Sequence, residues 1–218
     1  MKLKFWFLKI NLAIMPFYIV SCNTNSKTDF EDFFYKVAEF KVTNENGKTI
    51  QKATATFINK KIITNKHVIE TQIKNPKYWI KKWKTNDWVE IKVAKKSKNL
   101  DLAEFDYVNN TSINNEFNNK NYKPKIGDQI YSVGNFLGKG LSLTNGIISS
   151  FNSLEENDII NYYIKIAGIF TPGGSGSPIF NQNGEIISIA SFRFNEENKN
   201  NNFYFSIPIS EIISFIEK

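Results

Sequence analysis

Apolar and polar residues alternate in short runs along most of this chain, and the runs are too brief and too strictly spaced for helices. In Lys52-Ala53-Thr54-Ala55-Thr56-Phe57-Ile58 the period is two, the mark of a half-buried strand. Asn59-Lys60-Lys61 turns that strand back into an apolar run from Ile62 to Asn65. Trp88 to Ala94 and Leu100 to Val108 supply two more strands, the second carrying Asp101. The Asn-rich span from Asn109 to Lys120 lacks periodic apolar residues and reads as a link between two halves. Beyond it, strands are expected over Gln129 to Gly134, Leu141 to Phe151, Ile159 to Ala167, Ser177 to Phe180, Glu185 to Phe194 and Asn202 to Ile207. Asn46-Gly47 and Asn183-Gly184 are hairpin signals, because both residue types tolerate positive φ. Only Ser210 to Lys218 reads as helix, with Ser210 as its cap and Ile212, Ile213 and Ile216 on one face. Many short strands with so little helix predict an all-β domain.

The N-terminus breaks this pattern. Lys2, Lys4 and Lys9 precede an apolar stretch from Ile10 to Val20, the basic-then-apolar order of a secretory signal peptide. Residues 1–21 are therefore expected to direct export, and residues 22–36 to form a polar tether before the folded part. The run Ile19-Val20-Ser21-Cys22 is similar to a bacterial lipobox, which implies cleavage before Cys22 and a lipid on that cysteine; an uncleaved membrane anchor is the alternative. Either way the domain lies outside the cytoplasm.

Composition then narrows the chemistry. Cys22 is the single cysteine, so its lipidation leaves no thiol for a disulfide, a metal site or a nucleophile. With one histidine as well, a zinc site of the usual nitrogen and sulfur ligands is close to excluded; a calcium site of carboxylates stays open, and no metal or other cofactor is expected. The 28 basic and 21 acidic residues include three lysines and no acids in residues 1–21, so the chain after cleavage carries 25 against 21, or +4. The cluster Lys81-Lys82-Trp83-Lys84 with Trp79 and Trp88 resembles a nucleic-acid stacking surface only superficially. An exposed basic loop, or contact with an anionic membrane, is the simpler reading, and no nucleic-acid partner is expected.

The densest turn chemistry lies in Thr171-Pro172-Gly173-Gly174-Ser175-Gly176-Ser177-Pro178, where three glycines in four residues present Ser175 on sharply turning backbone. A serine needs a base, and the sole histidine, His67, ends the apolar run before it. Asp101, flanked by Leu100 and Leu102, is a carboxylate that must find a partner if it is buried. Taken singly, each has a plain structural reading: a Gly/Ser loop, a satisfied histidine, a turn aspartate.

Together they resemble the trypsin-like (chymotrypsin-fold) serine proteases, within them the HtrA-type and glutamyl-endopeptidase-type bacterial branches. TNKHVI is similar to the histidine motif, NLDLAEF to the aspartate motif and PGGSGSPIF to the nucleophile motif. IGDQIYSVGNFLGKGLSLTNGIISSF and FSIP resemble further HtrA-type stretches, so the likeness runs from about Ala53 to Lys218. The resemblance implies two six-stranded Greek-key β-barrels with a short C-terminal helix, residues 37–115 and 116–218. It also implies a Ser-His-Asp triad of Ser175, His67 and Asp101, an acyl-enzyme, and an oxyanion hole from the backbone N–H groups of Gly173 and Ser175.

Departures from the pattern also carry expectations. HtrA-type proteins usually have Asn at Gly174 and Gly at Ser177, and a Gly-rich approach where Ala53-Thr54-Ala55-Thr56 stands, which leaves the branch and the preformation of the oxyanion loop open. No sequence follows the final helix, so a PDZ module is not expected. By alignment to the family, the specificity pocket involves Ile169, Phe170, Ala190, Ser191 and Phe192; none is acidic, which favours small or medium apolar substrate side chains unless Arg193 enters and selects an acidic one. The chain is thus expected to be a lipid-anchored extracytoplasmic serine endopeptidase acting on proteins or peptides. The alternative is a catalytically degenerate member of that fold acting as a binding protein.

Overall fold

The computed structural model describes residues 28–106, 122–156, 159–168, 171–192 and 203–218. The expected signal peptide, Cys22, the expected link after Asp106, Ile169, Phe170 and Arg193 lie outside the described residues. Twelve strands form two closed antiparallel barrels. The first runs β1 (Val37–Thr43), β2 (Thr49–Ile58), β3 (Lys61–Thr64), β4 (Lys77–Lys82), β5 (Val89–Lys96) and β6 (Ala103–Asp106), in the spatial order β1-β2-β3-β6-β5-β4. The second runs β7 (Gln129–Gly134), β8 (Ser142–Glu156), β9 (Ile159–Gly168), β10 (Pro178–Phe180), β11 (Ile186–Phe192) and β12 (Phe203–Pro208), in the order β7-β8-β9-β12-β11-β10. The two orders are the same Greek key repeated, a symmetry absent from the residues themselves. Closing each sheet on itself removes the exposed edges that an open sheet of this size presents.

The turns show how the sequence sets the register. Asn59 and Lys60 both take positive φ, 47° and 64°, giving a two-residue hairpin loop between β2 and β3 with Ile58 opposite Lys61. At the two Asn-Gly sites only the glycine does so, Gly47 at 77° and Gly184 at 76°. There an upstream asparagine shapes the turn: Asn44 Oδ1 accepts the N–H groups of Asn46 and Lys48, and Asn181 Oδ1 those of Asn183 and Glu185.

Each barrel has its own core. Phe40, Phe57, Ile62, Ile80 and Phe105 fill the first; Ile130, Ile148, Ile166, Ile179 and Ile187 fill the second. A third cluster joins them, with Val37, Ile63, Leu100 and Leu102 from one side and Val133, Phe180, Ile189 and Ile207 from the other. Part of the segment read as tether belongs to this cluster. Helix α1 (Glu31–Phe34) buries Phe33, whose ring lies 4.3 Å from that of Phe180. Burying such a ring contributes about 1.5–3 kcal/mol.

Three local expectations change. Lys81 and Lys82 belong to β4 rather than to a loop; Lys81 pairs with Glu39 at 2.8 Å, and Lys41 Nζ sits 4.0 Å from the Trp88 ring centroid. The lysines and tryptophans are spent on one another across a sheet face, and burial beside Lys81 and Lys52 holds the Lys41 pKa below its usual range. Asp101 precedes its strand by two residues, because Ser97 Oγ accepts the Leu100 N–H and bends the chain there. The terminal helix α3 (Ile209–Glu217) starts after Pro208, so Ser210 lies inside it and caps nothing. Its other end is held by Lys95 Nζ, which donates to the Ile216 carbonyl at 3.1 Å. Among the described residues no helix is long and apolar enough to cross a membrane.

Candidate active site

Strand β3 ends at Thr64, and the chain turns at once into the four-residue helix α2 (Lys66–Ile69). Val68 and Ile69 are buried in the first barrel's core, which leaves His67 facing out with its side chain 44% exposed. Asn65, fully buried, donates from Nδ2 to the Asp101 carbonyl at 3.0 Å and so ties the histidine turn to the aspartate bend. Leu100 and Leu102 anchor that bend in the cluster between the barrels. Asp101 accepts from His67 twice: Oδ1 takes the backbone N–H at 2.8 Å and Oδ2 the ring Nδ1–H at 2.7 Å. A carboxylate can only accept, so Nδ1 carries the proton and Nε2 presents its lone pair. Ser175 Oγ lies 3.0 Å from Nε2. The structure thus brings the three residues into one hydrogen-bonded row.

The serine arrives on a loop with no regular structure of its own. Its glycines are dictated by contact. A Cβ on Gly176, at φ +84°, would stand 2.2 Å from the Thr54 carbonyl oxygen, and one on Gly173, at φ +95°, 2.2 Å from the Asn135 carbonyl oxygen. At Gly174 a Cβ would meet the Phe136 ring at 2.7 Å, so the aromatic ring occupies the space that an asparagine there needs. The loop's carbonyls are all spoken for. Pro172 O accepts from Leu137 N–H at 2.7 Å, Gly174 O from Ser177 N–H at 3.0 Å and Ser175 O from Thr54 N–H at 2.9 Å. Gly173 O accepts from Thr54 Oγ1 at 2.8 Å and Gly176 O from Thr56 Oγ1 at 2.7 Å. In a trans peptide the C=O and the following N–H point in opposite directions. Fixing Pro172 O and Gly174 O therefore turns the N–H groups of Gly173 and Ser175 away from the Leu137 and Ser177 donors.

Among the expected pocket residues, Ala190 is buried in β11 and its N–H donates to the Ser177 carbonyl at 2.8 Å, fixing the strand beside the serine loop. Ser191 Oγ donates to Asp101 Oδ2 at 2.7 Å, because successive residues of a strand face opposite ways and this one faces the first barrel. It makes a third donor on the carboxylate. Phe192 ends the strand, with its side chain outside the described residues. Thr54, Thr56 and Asn65 are site residues that sequence reasoning missed. The available signal was the repeated threonine at alternate positions of β2, a polar row where a strand's buried face is ordinarily apolar. Among the described residues no group of three or more His, Cys, Asp or Glu side chains is placed to hold a metal.

Residues 53–189 match the family described as trypsin-like peptidase domain. Over 91 residues the chain is 34% identical to a probable periplasmic serine endoprotease DegP-like of Pseudomonas putida, covering 42% of this chain and 19% of that protein. A Halomonas elongata protein of the same description is 35% identical over 85 residues, 39% of this chain and 18% of that one. The match thus spans less than a fifth of these relatives' length. Among solved structures, the HtrA-type protease AlgW with tripeptide superposes with a TM-score of 0.70 at 20% identity, covering 84% of this chain and 60% of that one. The serine endoprotease from Yersinia pestis does so at 0.69 and 21%, covering 87% and 66%.

Proposed function

We propose, on the premise that this chain belongs to the trypsin-like peptidase domain family, that it is a serine endopeptidase of the HtrA/DegP type that cleaves protein or peptide substrates outside the cytoplasm. The observation that carries the reading is the hydrogen-bonded row from Asp101 through His67 to Ser175, with steps of 2.7 and 3.0 Å. Ser175 Oγ attacks the substrate carbonyl while His67 Nε2 takes its proton. Asp101 holds the imidazole in the required tautomer and stabilises the imidazolium. The oxyanion is received by the N–H groups of Gly173 and Ser175. His67 then gives its proton to the departing amine, and a water, deprotonated in turn by His67, releases the acyl group from Ser175.

An extracytoplasmic location is supported by the basic-then-apolar residues 1–21 and by the DegP-like relatives, which are described as periplasmic. A lipid on Cys22 would hold the domain at the membrane, with residues 23–27 spanning from the anchor to the packed segment. Small or medium apolar side chains are proposed for the residue before the cut bond, since buried Ala190 contributes no charge there. A serine-reactive fluorophosphonate probe tests the reading directly: the natural chain is expected to label, and Ser175→Ala and His67→Ala are expected not to. Labelling that survives Ser175→Ala removes Ser175 as the nucleophile.

A further inference from the structure

The loop that presents Ser175 contains two adjacent glycines, and a Gly-Gly peptide can rotate between orientations at little cost. Of its three successive peptides, the two that carry the Gly173 and Ser175 N–H groups are pinned at oxygen by backbone donors, those of Leu137 and Ser177. The peptide between them, Gly173 to Gly174, donates to the Thr171 carbonyl at 3.0 Å, and its oxygen is held by one side chain, the Thr54 hydroxyl at 2.8 Å. That hydroxyl is fully buried and has a fixed direction. It accepts the Asn135 N–H at 2.9 Å, so its own proton is free only for Gly173 O.

We infer that Thr54 is a positioning residue for the oxyanion site: its hydroxyl, which accepts from Asn135, holds the Gly173–Gly174 peptide and with it the relative orientation of the two flanking peptides that carry the Gly173 and Ser175 N–H groups. Thr54 touches neither substrate nor the reacting atoms; it acts through the glycine. The same strand completes the restraint with Thr54 N–H on Ser175 O and Thr56 Oγ1 on Gly176 O. Thr64 Oγ1 in turn donates to the Thr54 carbonyl at 2.7 Å and keeps the residue in place. The first barrel, which holds none of the nucleophile loop's sequence, thereby decides the shape of that loop. This is also how the Ala-Thr-Ala-Thr approach replaces a glycine-rich one: with Gly173 and Gly174 free to turn, the restraint comes from the opposing strand. The inference rests on Ser175 being the nucleophile.

The experiment measures kcat and KM on a peptide substrate, together with inhibition by a peptide boronate that mimics the tetrahedral intermediate, for Thr54→Val and Thr54→Ser in the full chain. Removing an oxyanion donor outright costs about 10²–10³ in kcat, and loosening one is expected to cost about 10- to 100-fold. Thr54→Val should lose that factor in kcat with KM within about twofold, and should weaken the boronate by the same factor, while Thr54→Ser keeps activity within about threefold. Equal losses in Val and Ser, a loss confined to KM, or full activity in Val overturns the inference. If Val prevents folding, Thr54→Cys, nearly the size of serine with only a weak donor, is judged by the same criteria. An inactive natural chain, or an active Ser175→Ala variant, refutes the nucleophile assignment; an active natural chain with an unaffected Thr54→Val refutes only the role of Thr54.

Discussion

The two barrels share a strand order but contribute to the site in opposite ways. The first barrel supplies finished parts: His67 and Asp101 sit on short turns whose neighbours, Val68, Ile69, Leu100 and Leu102, are all anchored in cores, and Asn65 ties the two turns together. The second barrel supplies Ser175 on a glycine loop whose carbonyls are positioned largely by residues outside it: Thr54, Thr56 and Leu137. The difference teaches where rigidity comes from. A side chain at the end of a packed strand inherits its position from the core; a serine that must approach a substrate closely sits on backbone too spare in side chains to anchor itself. Part of its order is imported across the interface, from Thr54 and Thr56.

The largest expected effect falls on the self-sufficient side. Asp101→Asn keeps the shape of the bend but allows the imidazole the wrong tautomer, and about a 10⁴-fold fall in kcat is expected with the melting temperature nearly unchanged. Steady-state kinetics beside a thermal melt check this, and a loss of only a few-fold means that Asp101 is not the orienting carboxylate.

A change at the interface probes the imported order. Gly176→Ala drives a Cβ against the Thr54 carbonyl oxygen at a φ of +84°, so it both strains the loop and pushes it off β2. A stability loss of about 2–5 kcal/mol is expected from that clash and from the left-handed backbone together. It should be accompanied by loss of fluorophosphonate labelling even where the protein remains folded. Urea melts and probe labelling on the same samples separate the two, and a variant with natural stability and labelling breaks the contrast between the barrels.

The smallest effect lies away from the site, at the entry to the second barrel. Tyr122 OH donates to Asp128 Oδ2 at 2.7 Å and the Lys125 N–H donates at 2.9 Å, which hold the Asp128 pKa below the ordinary carboxylate range. A lowered folded pKa contributes stability that is present above the unfolded value and is lost as pH falls through the folded one. Asp128→Asn should therefore lower the melting temperature slightly at neutral pH and converge with the natural chain in strong acid. Equal offsets at both pH values show that the aspartate's charge plays no part.

Much of the fold was legible. Gln129 to Gly134 reproduces β7 to the residue, and most of the remaining strands lie within a few residues of expectation, because a period of two is a property of neighbours in the chain. The strand at Lys77–Lys82 was hidden because its long lysines and Trp79 cover the sheet face themselves. The bond from Ser191 to Asp101 was hidden for a related reason: the alternation of β11 is visible in the residues, but which of its sides meets Asp101 depends on where the other barrel stands.

What the residues alone determined is therefore the set of strands, the turns that join them and three chemically apt side chains in a familiar order. What the tertiary structure decided is their convergence. His67 and Ser175 are 108 positions apart, and Thr54 and Gly173 are 119 apart. No local pattern encodes contacts at such separations, because they form only when two closed barrels bury a common apolar face and bring the polar backbone of one loop within reach of the hydroxyls of an opposing strand.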